Sequence, residues 1–97
     1  MNETFVKNDQ EKPDISMIEP EFIEQIALVM MYGAKKYSRD NWKKCDEPKR
    51  YYSAVIRHMF AWLRGETIDK ESSLPHLAHA GASLMMLMCL PERVGGE

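Results

Sequence analysis

The chain has 97 residues, an apolar fraction of 44%, and a formal charge of −2 from 13 lysines and arginines against 15 aspartates and glutamates. That length supports one hydrophobic core and excludes a second domain, while the nearly balanced charge excludes a field that would steer the whole molecule to specific DNA. The longest apolar run, Leu84 to Leu90, is too short to span a bilayer, and no apolar segment opens the chain, so the sequence predicts a cytosolic protein with no membrane partner.

In chain order, residues 1–12 are polar and aperiodic and read as an N-terminal arm, ended by a Lys12-Pro13 step that resists helix. Residues 13–91 form the domain and 92–97 a flexible tail. Pro20 suits a first helical turn, and Ile23, Ile26, Ala27, Met30, Ala34 and Tyr37 recur at helical spacing, which predicts a helix over 20–37. The turn formers of Ser38 to Lys44 follow as a connecting loop. Here the chain is locally basic, with Lys35, Lys36, Arg39, Lys43, Lys44, Lys49 and Arg50, a patch that suits phosphates or a solvated face equally well.

Asp46 and Pro48 announce a second helix with the stripe Tyr52, Val55, Ile56, Met59 and Leu63, ended by Gly65. Ser72-Ser73 offers a cap and Pro75 a first turn for a third helix over 74–90, stopped by Pro91. No segment alternates like a strand. The fold class is therefore all-α, three main helices with a short fourth near the N-terminus. Helix three is apolar almost all round beyond His79 and carries Ala78, Ala80, Gly81, Ala82 and Ser83. Such a helix must be covered on every side, which predicts a homo-oligomer, at least a dimer, with helix three near the symmetry axis; a buried central helix in a monomer is the alternative. Cys45 and Cys89 have no metal-binding spacing and no reason to pair.

The chemistry concentrates in RHMFAWLRGETIDKESSLPHLAHA (57–80), where all three histidines, two arginines and three carboxylates surround one break between helices. Glu66 and Asp69, three apart, can share a hard divalent ion or cap a solvated turn. His76 and His79, also three apart, project from one helical face and can bind a metal, donate to a phosphate, or pack half-buried. A hairpin of helices two and three adds Arg57, His58 and Arg64, giving cations and imidazoles around acids, the composition of a metal-assisted phosphate site or of a salt-bridged junction.

YGAKKYSRDNW (32–42), YYSAVIRHMFAWLRGETIDKES (51–72) and LPHLAHA (74–80) resemble the phage dATP/dGTP diphosphohydrolases, relatives of the all-α MazG-type nucleotide pyrophosphohydrolases. The resemblance runs from about Lys12 to Leu90. It implies a helical-hairpin, homo-oligomeric, Mg2+-dependent enzyme, in a host cytoplasm if the protein is viral, that cuts a deoxynucleoside triphosphate between its α and β phosphates to give a monophosphate and pyrophosphate. Carried onto this chain, it implies nucleotide-binding roles for Lys35, Lys36, Arg39, Asn41, Trp42, Arg57, His76 and His79, catalytic roles for Glu66, Asp69 and His58, and metal ligation by Glu66 and Asp69. Trp42 or Tyr37 would stack on the base.

The sequence departs from the MazG pattern, which holds its ions with EExxE and ExxD on successive helices. Helix two has Ser53, Ala54 and Arg57 where acids are expected, and only Glu66 and Asp69 reproduce ExxD, in an expected loop. Two other functions therefore stay open: a nucleotide sponge that sequesters a cyclic or linear nucleotide signal uncut, and a structural oligomer whose polar cluster joins helices.

Overall fold

The computed structural model describes residues 4–91, in which three helices carry the fold: α1 (Pro20–Lys36), α2 (Lys49–Leu63) and α3 (His76–Met88). The all-α expectation holds, and each expected helix forms, shorter at one or both ends. Where a fourth helix was expected there is a single 3-10 turn, Ile15–Met17, whose N-cap Asp14 accepts the Ser16 backbone N–H. A second 3-10 turn, Asn41–Lys44, lies inside the loop expected between α1 and α2. The tail assigned to 92–97 and the first three residues of the arm lie outside the described residues.

Two expected caps are not used. Pro48, not Asp46, occupies the N-cap of α2 and supplies no side-chain bond. Pro75, not Ser72 or Ser73, occupies that of α3. Ser72 is drawn away because the segment before α3 is a hairpin: β1 (Ile68–Asp69) pairs antiparallel with β2 (Leu74–Pro75), with Ile68 opposite Pro75 and Asp69 opposite Leu74. Two-residue strands cannot show a period of two, so no alternation announces them.

The turn that closes α2 explains the hairpin's placement. Gly65 has φ of 100°, its N–H bonds the Trp62 carbonyl, and the Glu66 N–H reaches the Ala61 carbonyl, the paired bonds of a left-handed glycine cap. Glycine adopts that backbone without a Cβ penalty. The chain thereby reverses and delivers Glu66 and the hairpin to the start of α3.

Helix α3 is the centre of the molecule, packed against both α1 and α2. Buried residues other than Val29 lie on it: His76, Ala78, Ala80, Ala82 and Ser83. Its small side chains are thus used inside the chain, letting two helices approach. At Gly81 a Cβ would meet the Phe22 ring at 2.9 Å and Ile26 at 3.3 Å, so α1 seats on α3 through a missing side chain. The larger apolar residues remain uncovered, including Met31 at 63%, Leu84 at 56% and Met88 at 86% exposure. Among the described residues no helix is long and apolar enough to cross a membrane.

Gly65→Ala is expected to cost about 1 kcal/mol, which a thermal melt reads as a Tm lowered by about 4–8 °C. An unchanged melt would mean that the left-handed cap does not hold the α2 end.

Candidate functional site

Three imidazoles pack where α2, α3 and the hairpin meet. His58 of α2 places Nδ1 2.9 Å from Nδ1 of His76, and its ring stacks on His79 at 4.6 Å between centroids, 12° from parallel. Burial and the neighbouring imidazoles push His58 down to about 4, with Arg57 adding to the effect and Asp69 opposing it. Burial also lowers His79, against the pull of Asp69. Of the two facing Nδ1 atoms one must carry the proton. His76 Nε2 is buried and lies 3.4 Å from Glu66 Oε1, within ion-pair reach, yet completes no hydrogen bond.

The hairpin fixes the third ring. Asp69 Oδ2 accepts the Ser72 backbone N–H at 2.9 Å and the Ser72 hydroxyl at 2.7 Å. Burial raises the Asp69 carboxyl, but the two Ser72 bonds and the histidines outweigh it and hold the group below its ordinary value, hence ionised and able only to accept. Ser72 has a single hydroxyl proton and gives it to Asp69. Its 2.6 Å bond to His79 Nε2 must then be donated by His79, which fixes that ring as the Nε2–H tautomer with Nδ1 left as acceptor. Leu74 N–H completes the hydroxyl's partners at 3.2 Å. Ser73, next in the turn, takes φ of 63° and returns its N–H to the Asp69 carbonyl.

His79 connects this cluster to a cavity. A space of about 220 Å3 opens between the end of α1, the 38–42 loop and one side of α2 and α3, walled by Tyr37, Trp42, Tyr51, Met86 and His79, with Lys36, Arg39 and Asn41 at its edge. Lys36 and Tyr32 both bond Glu71 Oε2, at 3.1 and 2.9 Å, which ties α1 to the hairpin beside the opening. Tyr32 also meets His79 edge-on at 6.3 Å. A wider cleft of about 520 Å3 shares Tyr37, Asn41, Tyr51 and Ser83 with the cavity and includes Arg57.

The residues singled out in the sequence thus divide. Lys36, Arg39, Asn41, Trp42 and His79 line the cavity, and Arg57 the adjoining cleft. Glu66, Asp69, His58 and His76 line neither and form the packed cluster behind His79. Lys35 is exposed and lines neither. Sequence reasoning missed Tyr51, Ser72 and Ser83. Ser72 was legible only as a helix cap, and Tyr51 and Ser83 gave no signal beyond helical position.

Glu66 and Asp69, expected to share an ion, face different partners. Asp69 Oδ2 is occupied by Ser72, Glu66 faces a different histidine, and among the described residues no three acidic, imidazole or thiol side chains converge on one point.

A family model described as dATP/dGTP diphosphohydrolase, N-terminal, matches residues 2–95, and the chain belongs to that family. A dATP/dGTP diphosphohydrolase of Salmonella phage PMBT28 is 38% identical over 87 residues, 90% of this chain and 30% of the relative. The chain therefore spans less than a third of that relative's length. No solved structure matches it.

Between the ordinary histidine value of 6.5 and about 4, the unfolded chain binds a proton at His58 that the folded chain refuses. Stability from this group is present above about 6.5 and lost as pH falls towards 4. Thermal melts are expected to show Tm falling across that window, with a shallower fall in His58→Gln. The same slope in both proteins would remove His58 as the cause.

Proposed function

We propose that the chain binds a purine deoxynucleoside triphosphate and hydrolyses it between the α and β phosphates, giving a deoxynucleoside monophosphate and pyrophosphate. The observation that carries this reading is the single cavity in which an aromatic wall, an amide, two cations and an oriented neutral histidine meet. Flat apolar walls at Tyr37, Trp42 and Tyr51 suit a base, and Asn41 offers a donor and an acceptor to its edge. The family membership and the name of the phage relative support the nucleotide and the bond cut.

In the reaction, the oxygen of a water molecule bonds to the α-phosphorus as the bond from that phosphorus to the α–β bridging oxygen breaks, and pyrophosphate leaves. His79 is the group for the water's proton. Its Nε2–H is held by Ser72 and Asp69, burial keeps the ring neutral, and Nδ1 is left to accept. Magnesium enters with the nucleotide as part of the substrate, and the chain's residues contribute positioning and proton transfer.

A second reading is favoured by the lack of converging metal ligands among the described residues: the same cavity would hold a nucleotide, linear or cyclic, without cutting it. Incubation with magnesium, the four dNTPs and cyclic di- and trinucleotides, followed by chromatography before and after denaturing the protein, separates the two. Hydrolysis gives a purine monophosphate and pyrophosphate, lost by at least tenfold in His79→Gln. A ligand recovered intact on denaturation would replace hydrolysis with sequestration, and free ligand throughout would end both.

We also propose that a second copy of the chain covers the uncovered apolar groove of α1, where Ile23, Ala27, Met30, Met31 and Met85 line about 720 Å3. Ile23 at 47% and Met31 at 63% exposure in that groove are large apolar side chains of the kind that a homodimer interface covers. Light scattering behind size exclusion is expected to give a multiple of the 11.3 kDa chain and a smaller species for Met31→Glu. A wild-type mass of one chain would contradict it.

A further inference from the structure

We propose that the cleft beside the aromatic cavity, lined by Lys44, Arg50 and Arg57, is the seat of a linear polyphosphate, so that a bound nucleotide runs from the aromatic cavity into this cleft and away from Glu66 and Asp69. The proposal rests on the nucleotide reading for the base and on its own geometry for the phosphates.

Cleft and cavity meet at Tyr37, Asn41, Tyr51 and Ser83, so one elongated ligand can occupy both. The cleft holds three cations and one carboxylate, Asp46, a positive balance on a chain whose formal charge is −2. The lysine, Lys44, ends the 3-10 turn, Arg50 lies in the first turn of α2, and Arg57 follows two turns later on the same face. Seven helical residues rise about 10 Å, which separates the two guanidinium groups enough to hold different phosphoryl groups.

Among the described residues none of the three forms an ion pair, and the same holds for Lys35, Arg39 and Lys49, so what distinguishes Lys44, Arg50 and Arg57 is that they line one cleft. Moreover, α2 carries no acid in its first turn and begins Lys49-Arg50, the reverse of what a helix N-terminus favours. Cations kept against the helix dipole around an open cleft are explained by an anion that neutralises them. Arginine forks and a lysine point charge are the side chains that hold phosphoryl oxygens. Asp69, His58 and His79 of the cluster, by contrast, are engaged with one another through Ser72 and the stacked rings.

The experiment is a calorimetric titration of wild type, the double variant Lys44→Ala/Arg50→Ala, and Arg50→Lys, each with inorganic tripolyphosphate, dATP and deoxyadenosine in magnesium buffer. All three residues are exposed, and circular dichroism establishes that the variants are folded. The expected result is that the double variant loses at least tenfold in affinity for tripolyphosphate and dATP, keeps its affinity for deoxyadenosine, and that Arg50→Lys retains part of the loss. Should the double variant not fold, Arg57→Ala is expected to give the same split. Equal dATP and tripolyphosphate affinity in wild type and variant overturns the cleft and leaves the nucleotide reading standing. Tripolyphosphate binding that the variant loses, with no binding of dATP or deoxyadenosine beyond it, upholds the cleft and overturns the base site. A wild-type protein that binds none of the three overturns both.

Discussion

The arrangement of the functional end depends on one carboxylate. Asp69 Oδ2 takes both the backbone N–H and the hydroxyl of Ser72, closes the hairpin turn, and so leaves the Ser72 oxygen to be reached by His79. Everything on the cavity side follows: the tautomer of His79, the edge-on contact with Tyr32, and the face that the ring offers to a ligand. Such a bond to an ionised acceptor is stronger than a neutral one, and here it also transmits orientation to a residue ten positions away. The carboxylate that a motif reading gives to a metal ion is, in this fold, the one that orders a turn.

The second constraint is the size of the side chains on α3. With Ala78, Ala80, Gly81, Ala82 and Ser83 at the contacts, α1 and α2 come close, but little volume is left for a core of large residues, and among the described residues no large side chain is fully buried. Stability of so small a domain rests on few contacts. The same packing sets three imidazoles against each other, where burial and neighbouring imidazoles lower His58 and His79. Packing and protonation are thus one problem: protonating His58 charges the site where the helices touch.

The helices were legible because periodicity reports a helix face directly. Ile23, Ile26 and Met30 recur on α1, Gly65 stops α2 by a mechanism readable from composition, and Pro91 bounds α3. The hairpin was not legible, since two-residue strands leave no pattern, and Ser72 gave a cap signal that Asp69 outcompeted. The site was legible in parts. The segment YGAKKYSRDNW brings Lys36, Arg39, Asn41 and Trp42 to one cavity, as the spacing of a helix end and its loop allows. The distinction between His79 on the cavity wall and His76 behind it was not, because three residues of helical spacing place both on one face without saying which side faces ligand. Lys44 and Arg50 belong to a basic patch whose composition suits phosphates or solvent equally well, and only the fold places both on one cleft.

The nucleotide reading requires that one ligand lie between the aromatic wall and His79. Determination of the structure bound to a dATP analogue with a methylene bridge between the α and β phosphates tests it directly. The base is expected between Tyr37, Trp42 and Tyr51, and the α-phosphate within hydrogen-bonding reach of His79 through at most one water. An analogue seated at Glu66 and Asp69, or outside the cavity altogether, would contradict it.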